Sequence, residues 1–181
     1  MNEYAPYLIG IVVVAAVAIA LMRVGWRHRQ GRQADVATPP AVPEDLSTPV
    51  AEAAGQYVST TTAGDWLDRI GVHGLGMKST AILTVHPEGA LFTRSGAPDV
   101  FLPAADLESV RREAGMAGKF VEAGGLLVLG WRLGTHHLDT GFRPRRAQDM
   151  TALVAAIEAL LPGTGAPAPA DDHTAPKKDN E

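Results

Sequence analysis

The sequence predicts a mainly β domain that ends in one α-helix and is preceded by a single transmembrane helix. Three observations carry this. Residues 5–22 form an uncharged apolar run. About seven short β-like segments, separated by Gly, Pro, Ala and Asp, lie between Gln56 and Pro162. The last segment of that stretch changes period, from the alternation of a strand to the three-and-four spacing of a helix.

The apolar run reads APYLIGIVVVAAVAIALM. At 1.5 Å per residue, about 18 residues extend roughly 27 Å, close to the hydrocarbon thickness of a bilayer. Tyr4 and Tyr7 at one end and Trp26 at the other have the places of interfacial aromatics. A cleaved leader carries positive charge before its apolar run and a small-residue cleavage site after it. Here Glu3 precedes the run, and Arg23, Arg27, Arg29 and Arg32 follow it. This asymmetry predicts a retained single-pass anchor of the plasma membrane over residues 5–26. Residues 1–4 are expected outside and the rest of the chain in the cytoplasm. Ala16 and Ala20 form a small-xxx-small pair suited to helix packing.

Residues 27–55 begin basic and become rich in Pro and Ala, which reads as a linker. A flexible chain of about 25 residues has an r.m.s. span of about 25–30 Å. Residues 163–181 have a similar composition and read as a disordered tail. The folded domain is therefore expected over 56–162. Its strand segments are YVSTTT, STAILTV, GALFTR, DVFLP, LESVRRE, GGLLVLGWRL and HHLDTGF. STAILTV places Ala81, Leu83 and Val85 on one face, and HPEG reads as the turn of a hairpin. Met150, Leu153, Val154, Ile157, Leu160 and Leu161 form one apolar helical face. Pro144 suits a first helical turn, and Pro162-Gly163 ends the helix. Leu153, Ile157 and Leu160 are expected in the core, with Trp131 at least partly buried.

Composition excludes several functions. A net charge of −4 over 181 residues gives no overall basic footprint for nucleic acid. The absence of cysteine excludes disulfides, thiolate metal sites and a cysteine nucleophile. GVHGLGMKST nearly matches a phosphate-binding loop, but Met77 intrudes before Lys78-Ser79 and a strand, not a helix, follows. In GTHHLDTGF, strand alternation puts His136 with Leu138 on one side and His137 with Asp139 on the other. The two histidines therefore do not meet in one compact metal site. No Gly-x-Ser-x-Gly and no paired carboxylates are present, so no catalytic residue, metal ligand or cofactor is assigned. The remaining candidate is GFRPRRAQD. Arg143, Arg145 and Arg146 surround the expected start of the last helix, where free N–H groups and arginines make an anion or lipid-headgroup site. The alternative is a solvated face with Arg145 paired to Asp149 at i,i+4.

The strand run closed by an amphipathic helix resembles the pleckstrin-homology superfold, a bent seven-stranded barrel or sandwich capped by a helix. The segments TTAGDWLDRI, HGLGMKS, FLPAADLESVRREAGMAGKF, GGLLVLGWRLG and LDTGFRPR resemble a family of small actinobacterial single-pass membrane proteins, the PH-like domain-containing proteins. The resemblance covers nearly the whole chain apart from linker and tail. It implies a binding fold and brings no established activity. Family members are often encoded among pyrimidine-synthesis genes. Lipid-headgroup residues of eukaryotic relatives lie in the first hairpin. Here that region carries Asp65 and Asp68 and only Arg69 and Lys78 as cations, which departs from a phosphoinositide site. The expected function is a membrane-anchored, cytoplasmic, non-catalytic binding or scaffold domain with a protein partner. The alternatives are an accessory subunit of a membrane-associated enzyme, in nucleotide metabolism, and an anionic-lipid-binding domain.

Overall fold

The computed structural model describes residues 5–32, 35–120 and 124–163. Residues 1–4 and 164–181, and with them the short N-terminus and the tail, lie outside the described residues, as do the side chains of Tyr7, Trp26, Arg27, Arg29 and Arg32. Helix α1 runs over Ala5–Arg32. Its described side chains, residues 10–23, are all exposed. Among the described residues no helix is long and apolar enough to cross a membrane.

The segment after α1 differs from the expected free linker. Val36 is buried in the main core. Asp35 meets His136 at 3.4 Å, and the Val36 carbonyl lies 2.9 Å from His73 Nε2. Further on, the Ser47 carbonyl lies 2.6 Å from His86 Nδ1, and the Ser47 hydroxyl donates to Glu88. Val50 N–H then donates to the Val85 carbonyl at 2.8 Å. Residues 36–50 are thus a strap pinned at both ends. Its prolines and lack of period disguise it as a linker, because docking through isolated residues leaves no periodic pattern.

The domain is built on β1 (Ala51–Thr62), β2 (Asp65–Arg69), β3 (Ser79–His86), β4 (Gly89–Arg94) and β5 (Val100–Pro103). They are followed by β6 (Leu107–Glu113), β7 (Gly115–Met116), β8 (Lys119–Phe120), β9 (Leu126–Leu133), β10 (His136–Pro144) and helix α2 (Asp149–Glu158). The main sheet has the order β5-β4-β3-β1-β10-β9-β6, with β2 pairing on β1. These path strands are the seven segments expected from the sequence, now in an antiparallel order. β1 is central: Ala51–Tyr57 pair with β3, and Gly55–Thr62 pair with β10. A register shift between Tyr57 and Ser59 marks the bulge that lets one long strand serve both halves. The sheet curls around one core, to which β1, β3, β4, β5, β6, β9, β10 and α2 all contribute. Its two edge strands, β5 and β6, are joined by a 3-10 turn at Ala104–Asp106 and do not pair. The sheet is therefore open rather than a closed barrel.

Side-chain periods explain the packing. Ala81, Leu83 and Val85 all face the core, as alternation along β3 requires. β9 is buried on both faces: Leu127, Leu129 and Trp131 enter the core, while Leu126 and Val128 pack outside it against Val58 and Met116. The β7–β8 hairpin supplies Met116. Its two-residue turn, Ala117-Gly118, has φ of 53° and 75°, the positive values a tight hairpin demands. The HPEG hairpin joins β3 to β4 and ends at Gly89, where a Cβ would lie 2.1 Å from the Leu102 carbonyl.

Helix α2 buries Met150, Leu153 and Ile157, with Val154 partly buried; Leu160 and Leu161 lie just past the helix end, and Leu160, expected in the core, is only partly buried there. Trp131 is fully buried. The helix starts later than expected. Pro144 ends β10 opposite Gly55, and Arg145 N–H donates to the Ala54 carbonyl at 2.8 Å. The ladder holds the chain extended through Arg145, so Pro144 closes a strand rather than opening a helix. β2, β7 and β8 have no counterpart in the expected set: DWLDR does not alternate, and strands of two residues leave no period.

Candidate functional site

The middle of β1, the start of β3, the ends of β6 and β10 and the start of α2 line a cleft of about 640 Å³. Its closeness to the backbone depends on Gly55. A Cβ there would lie 2.3 Å from the Arg143 carbonyl and 2.6 Å from the Phe142 ring, so only glycine lets β1 approach β10. Arg112, Arg143 and Arg145 line the cleft, with Gln56 and Thr80 as neutral polar neighbours. Among the described residues the lining contains no carboxylate. Arg143 lies opposite Gln56 in the register and is exposed. Arg145 is exposed too, on a backbone fixed by its bond to Ala54. Arg112 Nη2 donates to Thr151 Oγ1 at 3.1 Å, which fixes its guanidinium beside α2.

Two of the three expected arginines meet here. Arg146 does not line the cleft; its Nε donates to Asp149 Oδ2 at 3.1 Å. The ion pair at the helix start is thus Arg146–Asp149 at i,i+3, in place of Arg145–Asp149. Arg112 is the member that sequence reasoning did not assign. Adjacent residues on a strand point to opposite faces, so Arg111 and Arg112 part company. Arg111 turns away to Asp139 and Arg112 enters the cleft. The alternation is legible in LESVRRE, but which face meets α2 is not.

GTHHLDTGF forms most of β10, and its polar residues diverge as alternation requires. His136 Nε2 faces Asp35, while His137 Nδ1 lies 2.8 Å from Glu108. Asp139 is buried and accepts two bonds from Arg111, at 3.0 and 2.6 Å. Among the described residues no group of three His, Cys, Asp or Glu could hold a metal ion.

The glycine-rich stretch around Gly74 and Gly76 is likewise structural. Ser79 opens strand β3, so no helix N-terminus stands there. Arg94 reaches into the stretch, with Nη2 donating to the Gly74 carbonyl at 3.0 Å and the Met77 carbonyl at 2.7 Å. Its guanidinium also stacks 4.0 Å from the centre of the Tyr57 ring. Burial pushes the Arg94 guanidinium below its ordinary value. The Tyr57 hydroxyl bonds to Thr60, which meets Thr140 at 2.8 Å, and Trp131 Nε1 donates to the same Thr140 hydroxyl at 2.9 Å. Carbonyls that converge on a buried arginine leave no cradle for a phosphate.

No curated protein matches the chain. The family described as Bacterial PH domain-like matches residues 36–158, beginning at the buried Val36 and ending with α2. PH-like domains are generally non-catalytic binding domains. The curled antiparallel sheet, the terminal helix and this match over most of its length establish that the chain belongs to the Bacterial PH domain-like family.

Proposed function

We propose that the chain is a membrane-tethered, non-catalytic binding module that displays its arginine cleft in the cytoplasm to an anionic partner. The observation that carries this reading is the spacing between helix and domain. Only Gln33 and Ala34 separate Arg32 of α1 from Asp35, where contacts with the domain begin. Three residue steps span at most about 11 Å. Whatever holds α1 therefore holds the domain beside it. The uncharged run of residues 5–22, with arginines only after it, supports a bilayer as that holder and a cytoplasmic domain. The expected long flexible tether is replaced in this reading by a short one.

Cell fractionation with an alkaline carbonate wash tests the tether, and protease added to wall-free cells tests the orientation. The chain is expected to stay with the membranes and the domain to stay uncut until the cells are lysed. Release by carbonate removes the tether. Cleavage with cytoplasmic markers still protected reverses the orientation. A pull-down from solubilised membranes identifies a protein partner, and recovery of a defined enzyme complex makes the chain an accessory subunit.

A further inference from the structure

A second cleft, of about 380 Å³, opens on the other side of β6 from the arginine cleft. Arg111 and Arg112 divide between the two, because neighbours on a strand point to opposite faces. Val128 of β9 and Asp139 of β10 line the second cleft from the sheet, Arg111 and Glu113 from β6, Met116 from the β7–β8 hairpin and Trp66 from β2. The aromatic side is held in place. Asp65 Oδ1 accepts from the Leu67 and Asp68 N–H groups, at 3.0 and 3.2 Å, and the Ala117 N–H donates to the Trp66 carbonyl at 2.9 Å. The Gly64 N–H donates to Asp139 at 3.2 Å, which ties the turn before Trp66 to the sheet. On this fixed backbone Trp66 keeps 45% of its surface exposed, and Leu67 keeps 62%.

The charge of this cleft asks for a cation. Arg111 is the one cation of the described lining, set against the carboxylates of Asp139 and Glu113. Asp139 accepts from both of its terminal nitrogens, and Glu113 Oε1 accepts from its Nε at 3.0 Å. These bonds, those to Asp139 first, hold the Arg111 guanidinium above its ordinary value. One guanidinium therefore answers two carboxylates, and the cleft keeps one negative charge. Glu113 Oε2 takes no bond from a described residue, and its side chain is 45% exposed. A carboxylate beside an exposed indole receives an ammonium or guanidinium group twice over: the acid attracts its charge, and the ring attracts both its charge and its apolar stem. A volume of about 380 Å³ lies near the lower end of ligand sites, which suits a single side chain. Leu67, next to Trp66, adds apolar surface that a polypeptide would cover and a free amine would leave in water.

We propose that Trp66 and Glu113 form a recognition site for a lysine or arginine side chain of a protein partner, with Leu67 covered by an apolar residue beside that cation. The site is separate from the arginine cleft and does not depend on the membrane reading above.

The test uses the full nitrogen-15-labelled chain in zwitterionic micelles, titrated at low salt with N-acetylarginine methylamide and followed by NMR. The Trp66 indole N–H signal, assigned by its loss in Trp66→Phe, should shift saturably, while that of the buried Trp131 should stay. The norleucine and glutamate analogues should shift it far less. Glu113→Gln should weaken arginine binding about threefold or more, and added salt should weaken it too. The blocked tripeptide Leu-Arg-Leu should bind more tightly than Gly-Arg-Gly, and Leu67→Ser should abolish that difference. No saturable shift, an equal response to the norleucine or glutamate analogue, or undiminished binding by Glu113→Gln overturns the site. Spermidine that binds as tightly as Leu-Arg-Leu overturns the polypeptide source and makes a free amine the occupant. Glu113 is about half exposed, so a circular dichroism melt of its variant that matches the parent ties any loss to the missing charge.

Discussion

Arg111 grips Asp139 with both terminal nitrogens, at 3.0 and 2.6 Å, and joins the edge strand β6 to β10 across the outer face of β9. Asp139 also accepts from the Gly64 N–H at 3.2 Å, which ties the β1–β2 turn to the same carboxylate. The acid of the His-His-x-Asp stretch is thus a buried structural anchor.

Replacing Asp139 with Ala should therefore destabilise the domain. Breaking a fully buried pair costs about 3–5 kcal/mol, but Arg111 is 39% exposed and can turn to water or to Glu113. A loss of about 2 kcal/mol in urea unfolding is expected. Chelator should leave the unfolding midpoint of the parent unchanged, and a shift with chelator would return this stretch to metal binding.

Ile157 is fully buried on the face of α2 that meets the core. Ile157→Ala should cost about 2–5 kcal/mol by thermal or urea unfolding. An unchanged transition would place α2 away from the sheet.

Gly89 has φ of 152°, and a Cβ there would lie 2.1 Å from the Leu102 carbonyl. Backbone, not a flexible side chain, stands in the way. Gly89→Ala should cost about 3 kcal/mol or more, because the β3–β4 turn or β5 must shift. Gly96→Ala offers the contrast: its φ of 74° is strained but nothing lies near its Cβ, so a smaller loss is expected.

The strap should loosen in acid. The bond from the Ser47 hydroxyl holds the Glu88 carboxyl below its ordinary value. A lowered folded-state pKa means the ionised form is favoured by folding. Its contribution is fully present above the ordinary carboxylate value of about 4.3 and is lost as pH falls through the lowered one. The protection of Ser47 N–H, which also donates to Glu88, should fall over that acid window when its exchange is compared with the intrinsic rate at each pH. Glu88→Gln should make that protection independent of pH, and protection that still falls in acid in that variant would place the cause elsewhere.

The seven path strands, the inward face of β3 and the apolar face of α2 were legible in the sequence, because period and turn residues are local and survive folding unchanged. So was the divergence of His136 and His137, which follows from alternation alone. Three things needed the tertiary structure. The strap over residues 36–50 docks through Val36 and Ser47 singly, and single contacts leave no pattern. The sheet order, with β1 between β3 and β10, is set by pairing over long sequence distances. The membership of the cleft, with Arg112 in and Arg146 out, depends on which strand face α2 covers and on which arginine Asp149 reaches. Local residue order dictates how each segment alternates; only the packed chain decides which of its two faces meets a neighbour.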